Sequence, residues 1–126
     1  MSNPNITLIG RVANDVEFKT LPSGTSVARF RLITNDRRKN AFGEWEDHDT
    51  SGWNITAWDR LAENIAGEFN RGEQVIVNGV IKETSWIDTN SGERKYSFEV
   101  KAQHIGKDLL LSSKSYAKSG SDIDWN

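Results

Sequence analysis

Residues 52–86 read GWNITAWDRLAENIAGEFNRGEQVIVNGVIKETSW, and the hydrophobic period changes twice within them. Gly52 to Trp58 alternates, with Trp53, Ile55 and Ala57 on one face and Asn54, Thr56 and Trp58 on the other, as a strand requires. Leu61, Ala62, Ile65, Ala66 and Phe69 then recur at helical spacing. Asp59 is the expected N-cap, and Gly72 lies just past the expected end. Alternation returns over residues 74–86, with Val75, Val77 and Ile81 inward and Lys82, Thr84 and Trp86 outward. Gly79, inside this run, marks a bulge or sharp bend.

Working outward, the strand signal repeats. Residues 6–12 (ITLIGRV) form a strand bent at Gly10, and Leu21-Pro22-Ser23-Gly24-Thr25 is a turn. Residues 27–35 place Phe30 and Leu32 on one face and Arg29, Arg31 and Ile33 on the other. A long polar loop is expected over residues 36–51. Downstream, a hairpin loop at Asp88–Gly92 leads to a fifth strand over residues 94–105, and Asp108–Leu111 suggests a short edge strand. Residues 1–111 therefore form one domain, and the serine-rich residues 112–126 are expected to be a flexible tail. Five strands with one helix between the third and fourth describe an all-β protein. The layout is that of a five-stranded OB-fold barrel, an architecture that binds oligonucleotides and oligosaccharides.

The composition narrows the function. A chain of 126 residues, 36% hydrophobic and 27% charged, suits a single core. The absence of cysteine excludes disulfides, thiolate zinc sites and cysteine nucleophiles. No apolar run is long enough to cross a bilayer and no signal peptide is visible, so a cytoplasmic protein without membrane contact is expected. His48 and His104 are isolated, and no nucleotide-loop or serine-nucleophile motif occurs, so neither a catalytic residue nor a metal or other cofactor is expected. The carboxylates of residues 44–49 read as a solvated acidic loop rather than as metal ligands. Net charge is -2, so any basic track must be local.

Five tryptophans are many for this length. Alternation assigns Trp53 to the core or a subunit contact, and Trp58 and Trp86 to an open face. Lys82 shares that face with Trp86, and Arg29 and Arg31 stand outward on the second strand. Arg37, Arg38 and Lys39 lie near Phe42 and Trp45 in the polar loop. Rings that stack bases beside cations that neutralise phosphates are how proteins hold single strands without reading sequence.

The chain resembles the bacterial-type single-stranded DNA-binding proteins from about Asn5 to Leu111. The resemblance rests on Ile6-Thr7-Leu8-Ile9-Gly10-Arg11-Val12, Leu21-Pro22-Ser23-Gly24, Val27-Ala28-Arg29-Phe30-Arg31-Leu32 and Trp58-Asp59-Arg60-Leu61-Ala62-Glu63-Asn64. Arg71-Gly72-Glu73-Gln74-Val75-Ile76-Val77-Asn78-Gly79 and the hairpin Trp86, Asp88, Gly92-Glu93-Arg94-Lys95-Tyr96 complete it. It implies an OB barrel, usually a homotetramer with a dimer as the alternative, that binds single-stranded DNA in replication, recombination or repair. Within that family Trp58 and Trp86 match base-stacking positions, and Lys82 and Lys95 match basic positions near the DNA. With Arg11, Arg29, Arg31, Arg37, Arg38, Lys39 and Arg94 they make up the expected nucleic-acid-binding set. The resemblance also implies that N-terminal edge strands pair between subunits.

Three positions depart from the family pattern. Arg37 and Gly52 stand where many relatives carry aromatics, with Phe42 or Trp45 as candidate replacements for the first. The chain ends Asp122-Ile123-Asp124-Trp125-Asn126 rather than Asp-Ile-Pro-Phe. Asp122, Ile123, Asp124 and Trp125 are therefore the candidate tip for docking replication or repair proteins. A housekeeping, paralogous or phage-encoded protein of the bacterial nucleoid or of a phage-infected cell all fit. An RNA-binding OB module and a structural OB subunit without a nucleic-acid ligand remain the alternatives.

Overall fold

Alternating burial builds the longer strands of this computed structural model, which describes residues 2–111. They are β1 (Asn5–Val12), β3 (Ser26–Lys39), β4 (Trp45–Trp58), β5 (Gln74–Ile87) and β6 (Arg94–Lys107), with a helix α1 (Asp59–Ile65) between β4 and β5. β1 pairs with β5, β5 with β6, β6 with β4 and β4 with β3. Arg11↔Ile33 and Val12↔Leu32 then close β3 back onto β1. The result is the expected ring of five strands with the helix between the third and fourth. Closure at these two pairs joins the first and last long strands of the sheet and leaves the rest of the β1 edge open.

The ring encloses Leu8, Val12, Phe30, Leu32, Ile55, Ala57, Val75, Val77, Val100 and Ala102, and Ala62 and Ile65 of α1 join the same cluster. Gly10 and Gly79 sit where strands touch. A Cβ on Gly10 would strike the Ile33 carbonyl, and one on Gly79 would strike the Lys101 carbonyl. At Gly79 the β5–β6 register also shifts, from Asn78↔His104 to Gly79↔Ala102, so the expected irregularity is a bulge carried by β6.

The structure corrects four local expectations. A short strand, β2 (Glu17–Thr20), pairs with residues 26–29 of β3. All four of its residues are exposed, so no apolar alternation announced it. Residues 36–51 are not a loop. β3 and β4 continue as a two-stranded ribbon in which Arg38 faces Glu46, Arg37 faces Asp47 and Lys39 faces Trp45, leaving only residues 40–44 as the turn. The alternation there is of charge across the strands, which a test for hydrophobic period does not detect.

The helix is shorter than its spacing suggested, and its N-cap is Trp58, in extended geometry and without a side-chain cap bond. Asp59 is inside the helix, at φ 57. Ala66 and Gly67 (φ 81) form a tight turn in which the Glu68 N–H donates to the Ile65 carbonyl at 3.0 Å. Gly67, not Gly72, therefore marks the stop, and Phe69 reaches the core from beyond the helix. Finally, Leu109–Leu111 form a 3-10 turn rather than an edge strand. The Asp108 carboxylate accepts the Leu110 N–H at 3.0 Å and the Gln74 amide at 2.8 Å, which turns the chain. The expected tail, with Asp122, Ile123, Asp124 and Trp125, lies outside the described residues.

Candidate nucleic-acid interface

Strand register sorts the polar side chains into rows that cross the outer face of the barrel. One row runs Glu17, Arg29, Thr56, Lys101 across β2, β3, β4 and β6. The next is Arg31, Asn54, Glu99, Lys82 across β3, β4, β6 and β5. Hydrogen bonds tie the rows together: Thr56 Oγ1 donates to Glu99 Oε1 at 3.1 Å, Arg31 Nη1 to Asn54 Oδ1 at 2.9 Å, and Asn54 Nδ2 to Ser97 Oγ at 3.4 Å. Beyond them Trp86 stands opposite Lys95 on the β5–β6 hairpin, 48% exposed. At the far end of β4, half-buried Trp58 stands opposite Val27.

β4 and β6 pair over residues 54–56 and 99–101. Trp58 lies beyond one end of that pairing, and Trp86, opposite Lys95, lies beyond the other. Two clefts lie between them. One, of about 280 Å³, is lined by Asn14, Glu17, Arg29, Arg31, Asn54 and Glu99 among others. The second, of about 430 Å³, opens where β4 and β6 diverge and is lined by Arg31, Gly52, Trp53, Asn54, Ser97 and Phe98 among others. Trp53 itself packs against the core, and its indole N–H donates to Thr34 Oγ1 at 2.9 Å.

A polar face this wide, with rings at both ends, can hold an extended chain of bases and phosphates. The single-strand binding protein family matches residues 4–108. The chain belongs to that family. It is 36% identical over 113 residues to the single-stranded DNA-binding protein of Corynebacterium glutamicum, covering 89% of this chain and 50% of that one. It is 33% identical over 115 residues to that of Mycobacterium tuberculosis H37Rv, covering 90% and 70%. The crystal structure of the small single-stranded DNA-binding protein from Streptomyces coelicolor superposes with a TM-score of 0.74 at 31% identity, over 87% of this chain and 98% of the other. The chain thus spans about half the length of the Corynebacterium relative. Membership in this family agrees with a binding module rather than an enzyme.

Not every residue of the expected set in this single-strand binding family member reaches the same face. Arg29, Arg31, Lys82, Lys95, Trp58 and Trp86 do. Lys95 also meets Asp88 at 3.8 Å. Arg94 is turned to the opposite side of the β5–β6 hairpin, where it donates to Ser85 Oγ at 3.1 Å. That side carries Ile87, Tyr96 and Phe98, all exposed. Arg11 and Arg37 line a separate cleft of about 620 Å³ on the flank, together with Arg71, which periodicity had not singled out.

On the ribbon, Arg37 pairs with Asp47 at 3.7 Å and Arg38 with Asp49 at 2.8 Å. Lys39 lies over the Trp45 ring, 5.6 Å from its centre. Trp45 and Phe42 are largely exposed. Sequence reading put Asn54 and Thr56 on the face of Trp58 but left them out of the expected binding set. Their only signal was that they alternate with Ile55 and Ala57.

Proposed function

We propose that this protein binds single-stranded DNA with little sequence preference and without catalysis, in replication, recombination or repair in the bacterial cytoplasm or nucleoid. Bases stack on Trp58 and Trp86, and phosphates meet Arg29, Arg31, Lys82 and Lys95. Arg11, Arg37, Arg38, Lys39 and Arg94 extend the positive rim where the strand leaves the face. The observation that carries the reading is the exposed Trp86 indole beside Lys95 on the face that also holds Lys82, Arg29 and Arg31. Among the described residues, Arg29, Arg31 and Lys82 have no carboxylate within ion-pair distance, so their charge is available to a phosphate.

Titration with oligo(dT) should quench tryptophan fluorescence. The logarithm of affinity should fall with the logarithm of salt with a slope of about -3, since four phosphates on a single strand each contribute about -0.7. Absence of salt-sensitive binding would favour a structural subunit, and stronger competition by poly(U) than by poly(dT) would favour an RNA ligand.

The ribbon makes a separate prediction. Exposed ion pairs are worth only about 0–1 kcal/mol each, but Asp47 and Asp49 compete with phosphate for Arg37 and Arg38. Asp47→Asn with Asp49→Asn should therefore tighten oligo(dT) binding by up to about tenfold and steepen the salt slope. Unchanged affinity and slope would remove Arg37 and Arg38 from the DNA path.

The reading includes assembly, as a homotetramer or a dimer. From Asn5 to Gly10, β1 is paired only on its β5 side. Ile9 and Ile76 stand opposite each other on the outer surface of those two strands, 54% and 37% exposed. A second copy would cover both the edge and the apolar pair. Light scattering should return a multiple of 14.2 kDa, and a monomer at micromolar concentration would reject assembly.

A further inference from the structure

Gly52 has no side chain, and Arg31 occupies the space where one would be. A Cβ built on Gly52 would lie 2.6 Å from Arg31 Cζ and 2.8 Å from Nε, with Nη2 closer still. Nη2 comes nearest, so the guanidinium fills the space that a side chain at residue 52 would take. Its edge is engaged: Nη1 donates to Asn54 Oδ1 at 2.9 Å. A guanidinium makes its hydrogen bonds in its own plane and leaves its faces for stacking on flat π-systems. Arg31 itself is exposed.

The position suits a ligand. Arg31 lines both the cleft shared with Arg29 and the cleft that opens beside Trp53 and Phe98, whereas Arg29 lines only the first. We infer that Arg31, seated in the space beside Gly52 and held by Asn54, is a base-stacking platform between Trp58 and Trp86, a role beyond its phosphate contact. Gly52 makes the platform by leaving room for it. The inference rests on the single-stranded DNA reading and names the chemistry of one position within it: an unpaired nucleobase against a guanidinium plane, a mode that proteins use for single strands.

The test separates base from phosphate. Oligo(dT) and an abasic phosphodiester chain of equal length are titrated at fixed salt against wild type, Arg31→Lys, Gly52→Ala and, as a control, Arg60→Lys on the exposed side of α1. Arg31→Lys keeps the charge but loses the plane, and Gly52→Ala keeps both but pushes the plane away. Both variants should bind oligo(dT) about fivefold or more weakly, with the salt slope and the abasic affinity unchanged, while Arg60→Lys matches wild type on both chains. Circular dichroism and the urea midpoint of Gly52→Ala should stay at wild-type values, since the position is exposed. Wild-type oligo(dT) affinity in Arg31→Lys and Gly52→Ala would overturn the platform. Equal losses on both chains in Arg31→Lys would also overturn it and return Arg31 to the phosphate contacts. If wild type binds neither chain, the single-strand reading fails, and this inference with it.

Discussion

Replacing both Trp58 and Trp86 by alanine lowers affinity for oligo(dT) by two orders of magnitude or more and leaves the fold in place. Each base–aromatic stack is worth about 1–3 kcal/mol by alanine substitution. The two rings stand at opposite ends of the face, well beyond the separation at which substitutions couple, so their losses should add. The single variants should not contribute equally. Trp86 is 48% exposed on a hairpin that projects beyond the core, so its removal uncovers little. Trp58 is half-buried and caps the start of α1 with its backbone, so part of its cost should appear as stability. Fluorescence anisotropy with a labelled oligo(dT), set beside urea unfolding, separates the two. Near-wild-type affinity in the double variant would sink the stacking assignment. A large loss of affinity that tracks a large loss of stability would show that the rings serve the fold.

Where burial is one-sided, alternation in the sequence was enough. Phe30 and Leu32 point inward and Arg29 and Arg31 outward, because a strand with one face on a core must separate the two. The same argument placed Val75 and Val77 inside and Trp86 outside. It failed where neither face is buried. Residues 36–39 and 45–51 are strand, with Arg38 opposite Glu46 and Arg37 opposite Asp47, and a period count of apolar residues sees only polarity there. β2 was hidden for the same reason. The helix end was misplaced because Phe69 is buried for a reason unrelated to helical pitch: the chain turns at Gly67 and then drops Phe69 onto the core.

The site was legible residue by residue but not as a surface. Composition could count basic residues, yet only the folded ribbon shows that, among the described residues, Arg37 and Arg38 already form ion pairs while Arg29 and Arg31 do not. Arg94 and Lys95 are neighbours in sequence and fall on opposite sides of one hairpin, which alternation alone would have separated. The role of Gly52 needed coordinates, because what matters there is the neighbour lying in the space its missing side chain leaves.

Ile55→Ala should be the most damaging single change to stability and should do its damage without touching the face. Ile55 is fully buried and sits opposite Phe30 on one side and Val100 on the other, at the point where β3, β4 and β6 meet. Truncation removes apolar contact and leaves a void in a ring whose strands are fixed by backbone pairing on both sides, so collapse around it is limited. A loss of about 2–5 kcal/mol follows, against about 0.5–1.5 kcal/mol for Ile55→Val. Domains of this size are stable by only about 5–15 kcal/mol, so the alanine variant should unfold at far lower urea. Thr56, the next residue, keeps its bond to Glu99 on the outside. At temperatures where Ile55→Val remains folded, its oligo(dT) affinity should match wild type, since no ligand-facing atom has changed. If Ile55→Ala shifts the urea midpoint no more than a surface substitution does, the barrel interior is not organised around this residue, and the β3–β4–β6 junction is not what holds the outer face in register.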